Sequence, residues 1–130
     1  MYENHQIWII DDDDSIRWVL QKALEGAGFS VTSYDNANTI LDDLQRGEPD
    51  AIITDIRMPG IDGFKTTTEI RKLSHHIAVI VLTGYESEIY AAEAIRVGAA
   101  GYITKGCARK LLINAIHVVT QGGTVWQADP

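Results

Sequence analysis

The chain has 130 residues, enough for one domain, and 45% of them are hydrophobic, too many for a disordered chain. Its formal net charge of −7 argues against direct nucleic-acid binding, which demands a basic patch. No apolar run approaches the roughly 20 residues that cross a bilayer, and the N-terminus lacks a basic stretch ahead of an apolar one; both favour a chain without membrane or secretory segments.

In chain order, five apolar runs predict strands: Ile7–Ile10, Val31–Tyr34, Ala51–Thr54, Ile77–Leu82 and Gly101–Ile103. Between the first two, Ile16, Val19, Leu20, Ala23, Leu24 and Ala27 recur at helical spacing, and Gly28 supplies a stop. Ala37, Ile40, Leu41 and Leu44 predict a second helix, ended by Gly47. A third starts near Asp62-Gly63 and uses Phe64, Thr67, Ile70 and Leu73, although Thr66-Thr67-Thr68 is a weak helix former. Ala91, Ala94 and Ile95 mark a fourth helix, closed by Gly98. Leu111, Leu112, Ala115, Ile116 and Val119 mark a fifth, stopped by Gly122-Gly123. Strands alternating with helices, each strand a continuous apolar run, predict an α/β fold with a parallel sheet covered on both faces.

In such folds the functional site lies beyond the carboxyl ends of the strands. Asp11 and Asp12 follow the first strand, Asp55 the third, Thr83 the fourth and Lys105 the fifth. Three carboxylates gathered at one edge repel one another, and a hard divalent cation such as Mg²⁺ relieves that repulsion. Two carboxylates per Mg²⁺ match Asp12 and Asp55, with Asp11 as an outer partner. A carboxylate beside a metal, a hydroxyl and an ammonium can accept a phosphoryl group.

Four quoted segments carry a resemblance: Ile9-Ile10-Asp11-Asp12, Asp55-Ile56-Arg57-Met58-Pro59-Gly60-Ile61-Asp62-Gly63, Thr83-Gly84, and Tyr102-Ile103-Thr104-Lys105. Together they resemble the receiver (CheY-like) domains of bacterial two-component response regulators, over about residues 5 to 121. Asp-x-x-Met-Pro-x-x-Asp-Gly is the specific part; the acidic pair or Thr-Gly alone would be weak. The first half looks most like receivers of nitrogen-regulation activators, through Trp8–Asp13 and Ser15–Leu20. The last third looks more like receivers of the nitrate-regulator type, through Gly98–Tyr102 and Ala115-Ile116-His117 leading to Gly122-Gly123. A natural relative or an engineered fusion of two receivers, with impaired switching in the latter case, both accommodate this mixture.

The resemblance implies a flavodoxin-like, doubly wound (βα)5 fold of strand order 2-1-3-4-5. It implies Asp55 as phosphoacceptor, Asp11 and Asp12 as the acidic pair for Mg²⁺, and the Arg57 carbonyl as a further metal ligand. Thr83 and Lys105 would contact the phosphoryl oxygens, and Tyr102 matches an aromatic switch position. The implied setting is cytoplasmic, with a sensor histidine kinase as donor. The partner side further comprises an effector domain, its own or separate, and a homodimer formed on phosphorylation. Catalysis would be limited to the domain's own phosphorylation and dephosphorylation. The family's frequent Lys-Pro is Lys105-Gly106 here, so a cis-proline brace is absent. Residues 122–130 read as a tail or the start of a linker.

Plainer readings stand beside these. Asp11 and Asp12 can serve as helix N-caps, although Asp13, Asp14 and Ser15 suffice for that. Thr83 can be a cap, Lys105 a solvated charge and Tyr102 strand packing. Cys107, the one cysteine, reads as a small buried apolar residue, and a reducing compartment is the simplest setting. His75-His76 reads as solvated loop, and His117 has no partner visible in sequence. Trp18 lies off the apolar stripe of its helix, either partly buried or at an interface. A haloacid-dehalogenase-type phosphatase shares the strand-end Asp, but needs a general acid two residues on, where Arg57 stands. A flavodoxin-like nucleotide binder needs a phosphate loop after the first strand, where Asp11–Asp14 would repel the phosphate.

Overall fold

The computed structural model describes residues 5–56, 62–84, 88–106 and 109–126. Strands β1 (Gln6–Ile10), β2 (Ser30–Tyr34), β3 (Ala51–Asp55), β4 (Ala78–Thr83), β5 (Gly101–Thr104) and β6 (Val125–Trp126) alternate with helices. The helices are α1 (Asp14–Gly26), α2 (Ala37–Asp43), α3 (Gly63–Leu73), α4 (Glu88–Arg96) and α5 (Arg109–Thr120). All strand pairs are parallel, in the order β2-β1-β3-β4-β5-β6. The first five strands thus follow the expected 2-1-3-4-5 order.

The sixth strand differs from expectation. Val125–Trp126 falls within the stretch read as tail or linker, yet it pairs with Gly101–Tyr102 along the outer edge of β5. Two residues after a glycine turn carry no periodic pattern, so the pairing was invisible to a search for apolar runs.

Strand alternation sorts the core onto two faces. Ile7, Ile9, Ile53, Leu82 and Ile103 meet Leu24 of α1 and Leu112, Ala115 and Ile116 of α5. Trp8, Ile10, Ile52 and Val79 point the other way, to Ile40 of α2 and Ile70 of α3. Val81 and Tyr102 continue that second face under Ala91 and Ala94 of α4. Strands covered on both faces have no solvated side, which explains their unbroken apolar runs.

Four helix residues leave the expected stripes. Val19 of α1, Leu73 of α3, Ile95 of α4 and Leu111 of α5 are exposed, because the stripe meeting the sheet is narrower than the apolar periodicity suggested. Trp18 is likewise exposed. The triple threonine of α3 is accommodated by its hydroxyls. Thr66, Thr67 and Thr68 donate to the carbonyls of Asp62, Gly63 and Phe64 at 2.8, 2.8 and 3.1 Å. That back-bonding satisfies polar groups that Thr66 and Thr67 would otherwise bury bare.

Candidate phosphoacceptor site

Each candidate side chain stands where a strand ends. Asp11 and Asp12 follow β1, Asp55 is the last residue of β3, Thr83 the last of β4, and Lys105 follows β5. Register brings these ends level: Asp55 lies beside Leu82, and Thr83 beside Thr104. The Lys105 amide donates to the Thr83 carbonyl at 2.7 Å, extending the ladder one step and aiming Lys105 back along the sheet edge. No proline is needed to hold it, and no peptide bond among the described residues is cis.

Asp11, Asp12 and Asp55 each offer a carboxylate oxygen, and the three lie within 4.8 Å of one another. Asp11 and Asp55 are buried and Asp12 is exposed, so the cluster opens to solvent on the Asp12 side. The Lys105 ammonium bridges the two buried acids, 3.2 Å from Asp11 Oδ2 and 3.1 Å from Asp55 Oδ1. Burial alone would push the ammonium's pKa down. Its contacts with Asp55 and Asp11 outweigh that and hold it above the ordinary lysine range. Burial, reinforced by the Asp55 charge, pushes the Asp11 carboxyl up, against the Asp13 amide and Lys105, which pull it down.

Neighbours fix the orientation of Asp11. Its Oδ1 accepts from the Asp13 amide at 2.9 Å, and its carbonyl accepts from Arg17 Nη1 at 2.6 Å. Arg17 also pairs with Asp14. Asp13 is the N-cap of α1, accepting from the Ile16 amide at 3.0 Å. Capping is therefore done by Asp13, which leaves Asp11 and Asp12 free of that role. Asp11 Oδ2 is buried and takes no well-directed hydrogen bond; its contact with Lys105 is one of charge. Three carboxylates gathered with one ammonium, which meets only Asp11 and Asp55, are a donor set that suits a hard divalent cation.

Two supports escaped sequence reasoning. The Thr54 hydroxyl donates to the Asp55 carbonyl at 3.0 Å. Gly63 opens α3 so close to that strand end that a Cβ there would stand 2.0 Å from the Asp55 carbonyl oxygen. Asp62-Gly63 reads as a helix start in sequence, and Asp62 is indeed the N-cap; the contact that demands glycine joins the two ends of the Asp55–Gly63 motif, a fit that helical periodicity does not show. Tyr102, the expected switch position, is fully buried, with Ile56, Val81, Ala91 and Ala94 around it. The Arg57 carbonyl, the Met58–Ile61 part of the motif and Cys107 lie outside the described residues.

A doubly wound sheet with an acidic cluster and a lysine at its carboxyl edge defines a phosphoacceptor module. The response regulator receiver domain model matches residues 7–117, and the chain belongs to that family. It is 43% identical over 98 residues to the DNA-binding transcriptional regulator NtrC of Klebsiella pneumoniae, covering 75% of this chain and 21% of NtrC. It is 39% identical over 120 residues to the transcriptional regulatory protein FixJ of Azorhizobium caulinodans, covering 90% of this chain and 56% of FixJ. A receiver domain protein from Clostridium thermocellum superposes with a TM-score of 0.85 at 30% identity, covering 91% of this chain and 95% of that one. The chain thus spans about a fifth of NtrC and little more than half of FixJ. Membership in this family leaves the phosphatase and nucleotide-binder readings without support. Receiver domains are signalling modules, and an aspartate cluster of this kind is where they bind Mg²⁺. No helix among the described residues is long and apolar enough to cross a membrane.

Proposed function

We propose that Asp55 is the residue phosphorylated in this receiver domain, with Asp11, Asp12 and the Arg57 carbonyl joining it around Mg²⁺. The observation that carries this is the Lys105 ammonium set between Asp55 and Asp11 inside the acidic cluster. An Asp55 carboxylate oxygen forms the new P–O bond. The P–N bond of a phosphohistidine, or the P–O bond of acetyl phosphate, breaks, and its electron pair leaves with the imidazole nitrogen or the acetate. Lys105, kept protonated by its two acids, offsets charge on the transferring oxygens, and the Thr83 hydroxyl donates to one of them. Bound Mg²⁺ supplies further charge neutralisation on those oxygens. Asp11 is held by the Asp13 amide and Arg17 so that its other oxygen, Oδ2, meets Lys105.

The domain's role is then to pass a kinase signal to an output. A sensor histidine kinase is the donor, and an effector, its own or separate, is the receiver of the signal. The relatives are transcriptional regulators by name, which supports transcription as that output. Tyr102 acts as the switch residue, and phosphorylation promotes pairing of two copies. The acidic surface, at a net charge of −7, supports a domain that does not itself touch DNA. A cytoplasmic setting and chemistry limited to the domain's own phosphorylation and dephosphorylation complete the reading. The receiver unit, expected over residues 5–121, is extended through Trp126 by β6.

The test is incubation with Mg²⁺ and acetyl phosphate, followed by intact-mass measurement. Wild type should gain one phosphoryl group. Folded Asp55→Asn should gain none, because the amide keeps the shape and loses the nucleophile; equal labelling of the two would exclude Asp55 as acceptor.

A further inference from the structure

Docking of β6 is written into the chain at three glycines. Gly122 takes a φ of +93° to turn the chain back after α5. A Cβ on Gly123 would stand 2.7 Å from Val118 Cγ1 and 3.2 Å from the Val118 carbonyl oxygen, so the return is close. A Cβ on Gly101 would stand 3.1 Å from Ile80 Cγ1 and 3.4 Å from the Val125 carbonyl oxygen. The Val125 amide donates to the Ala100 carbonyl at 2.9 Å. Val125 then packs on the core shared with α5, while Trp126 lies beside Tyr102 in register and packs on its cluster.

At two residues, β6 is the shortest strand of the sheet. Both of its side chains are only half-buried. It has the fewest ladder bonds to lose and is the first strand to open. Among the described residues its partner strand is β5, the one that leads into Lys105. Tyr102 precedes Lys105 by three positions, and the Lys105 amide is tied to Thr83. A phosphoryl group on Asp55 brings its oxygens to the Lys105 ammonium, now 3.1 Å from Asp55 Oδ1 and 3.2 Å from Asp11 Oδ2, so new bonds there pull on the end of β5. That end lies within a few residues of the Tyr102–Trp126 pair, where the weakest neighbour is the one to give.

We propose that β6 is a detachable strand, docked on β5 while Asp55 is unmodified and released when it is phosphorylated. Release frees the β5 edge and uncovers the Tyr102 cluster together. The inference rests on the phosphoacceptor reading above. By linkage, loosening β6 must also favour the phosphorylated state by the same factor.

The test follows amide exchange of Val125 by NMR in the full chain with Mg²⁺, before and after adding beryllofluoride as a phosphoryl mimic. A parallel sample with acetyl phosphate is read by mass. The expected result is a phosphoryl mass gain and Val125 exchange faster by about tenfold or more, with Ile9 and Ile53 in the central strands unchanged. Mass gain with Val125 protection unchanged or increased overturns the detachable strand and leaves the phosphoacceptor standing. Absence of mass gain removes the phosphoacceptor reading, and the detachable strand falls with it. Trp126→Ala, and Val125→Pro, which deletes the amide donor, should each tighten beryllofluoride binding by about threefold or more. Unchanged or weaker binding by the folded variants overturns the proposal; should either fail to fold, the wild-type exchange decides.

Discussion

At the scale of the residue, the site is arranged at the expense of stability. Asp11 is buried beside Asp55, and its carboxyl is pushed up in the fold, burial first. An acid with a raised folded pKa favours the fold while protonated, below its unfolded value. That contribution is lost as pH rises through the folded pKa, so at neutral pH ionised Asp11 opposes folding. Asp11→Asn should therefore raise the metal-free melting temperature, by roughly 2–6 °C, and flatten its decline with rising pH. A melt series from acid to neutral pH in chelator checks this; a lower melting temperature for Asp11→Asn at neutral pH would show that its pairing with Lys105 outweighs burial. Gly63 makes the complementary case. Alanine is the better helix former by about 1 kcal/mol, yet at Gly63 its Cβ would meet the Asp55 backbone. Gly63→Ala should destabilise by about 2–4 kcal/mol in urea unfolding. Gly26→Ala, where a Cβ meets nothing within 4 Å, should be neutral or stabilising by up to about 1 kcal/mol.

At the scale of the element, what was legible depended on whether the signal was local. The longer strands β1, β3, β4 and β5 stood out because burial on both faces makes them apolar, whereas the edge strand β2 is half-exposed and shows only Val31 and Tyr34; the strand-end rule then gathered Asp11, Asp12, Asp55, Thr83 and Lys105 on one edge. Distances now support four of these as neighbours, and the ladder to Lys105 places Thr83 one strand away. Helix stripes were read too wide at Val19 and Ile95, since periodicity gives a face but not how much of it the sheet covers. β6 was illegible because its pairing joins distant segments; Gly63 was legible as the end of the Asp55–Gly63 motif, but not the backbone contact that demands it. Caps were read in part. No apolar pattern marks the start of α2, where Asn36 is the N-cap, accepting from the Thr39 amide and hydroxyl at 3.0 and 3.2 Å. Asn36→Ala should cost about 1 kcal/mol, and Asn36→Asp should retain most of it. Chemical denaturation distinguishes the two; equal losses would mean that the amide nitrogen's bond to Asp35, and not the cap, matters.

At the scale of the molecule, a net charge of −7 and an acidic cluster both predict that cations stabilise the protein, by different routes. Diffuse repulsion is relieved by any salt, because screening depends on ionic strength and at 0.1 M has a range of about 10 Å. A bound Mg²⁺ adds a saturable term set by its concentration over its dissociation constant, about 1.4 kcal/mol at a tenfold excess. Sodium chloride at matched ionic strength isolates that second term. Wild type should melt higher in Mg²⁺ than in the sodium control, and the excess should saturate. Asp12 is the exposed member of the cluster, so Asp12→Ala removes a ligand with little change in packing. Its sodium melt should equal or exceed that of wild type, since one repulsive charge is gone, while its Mg²⁺ excess should collapse. An undiminished excess would take Asp12 out of the metal site and leave Asp11 and Asp55 to hold the ion with backbone and water oxygens.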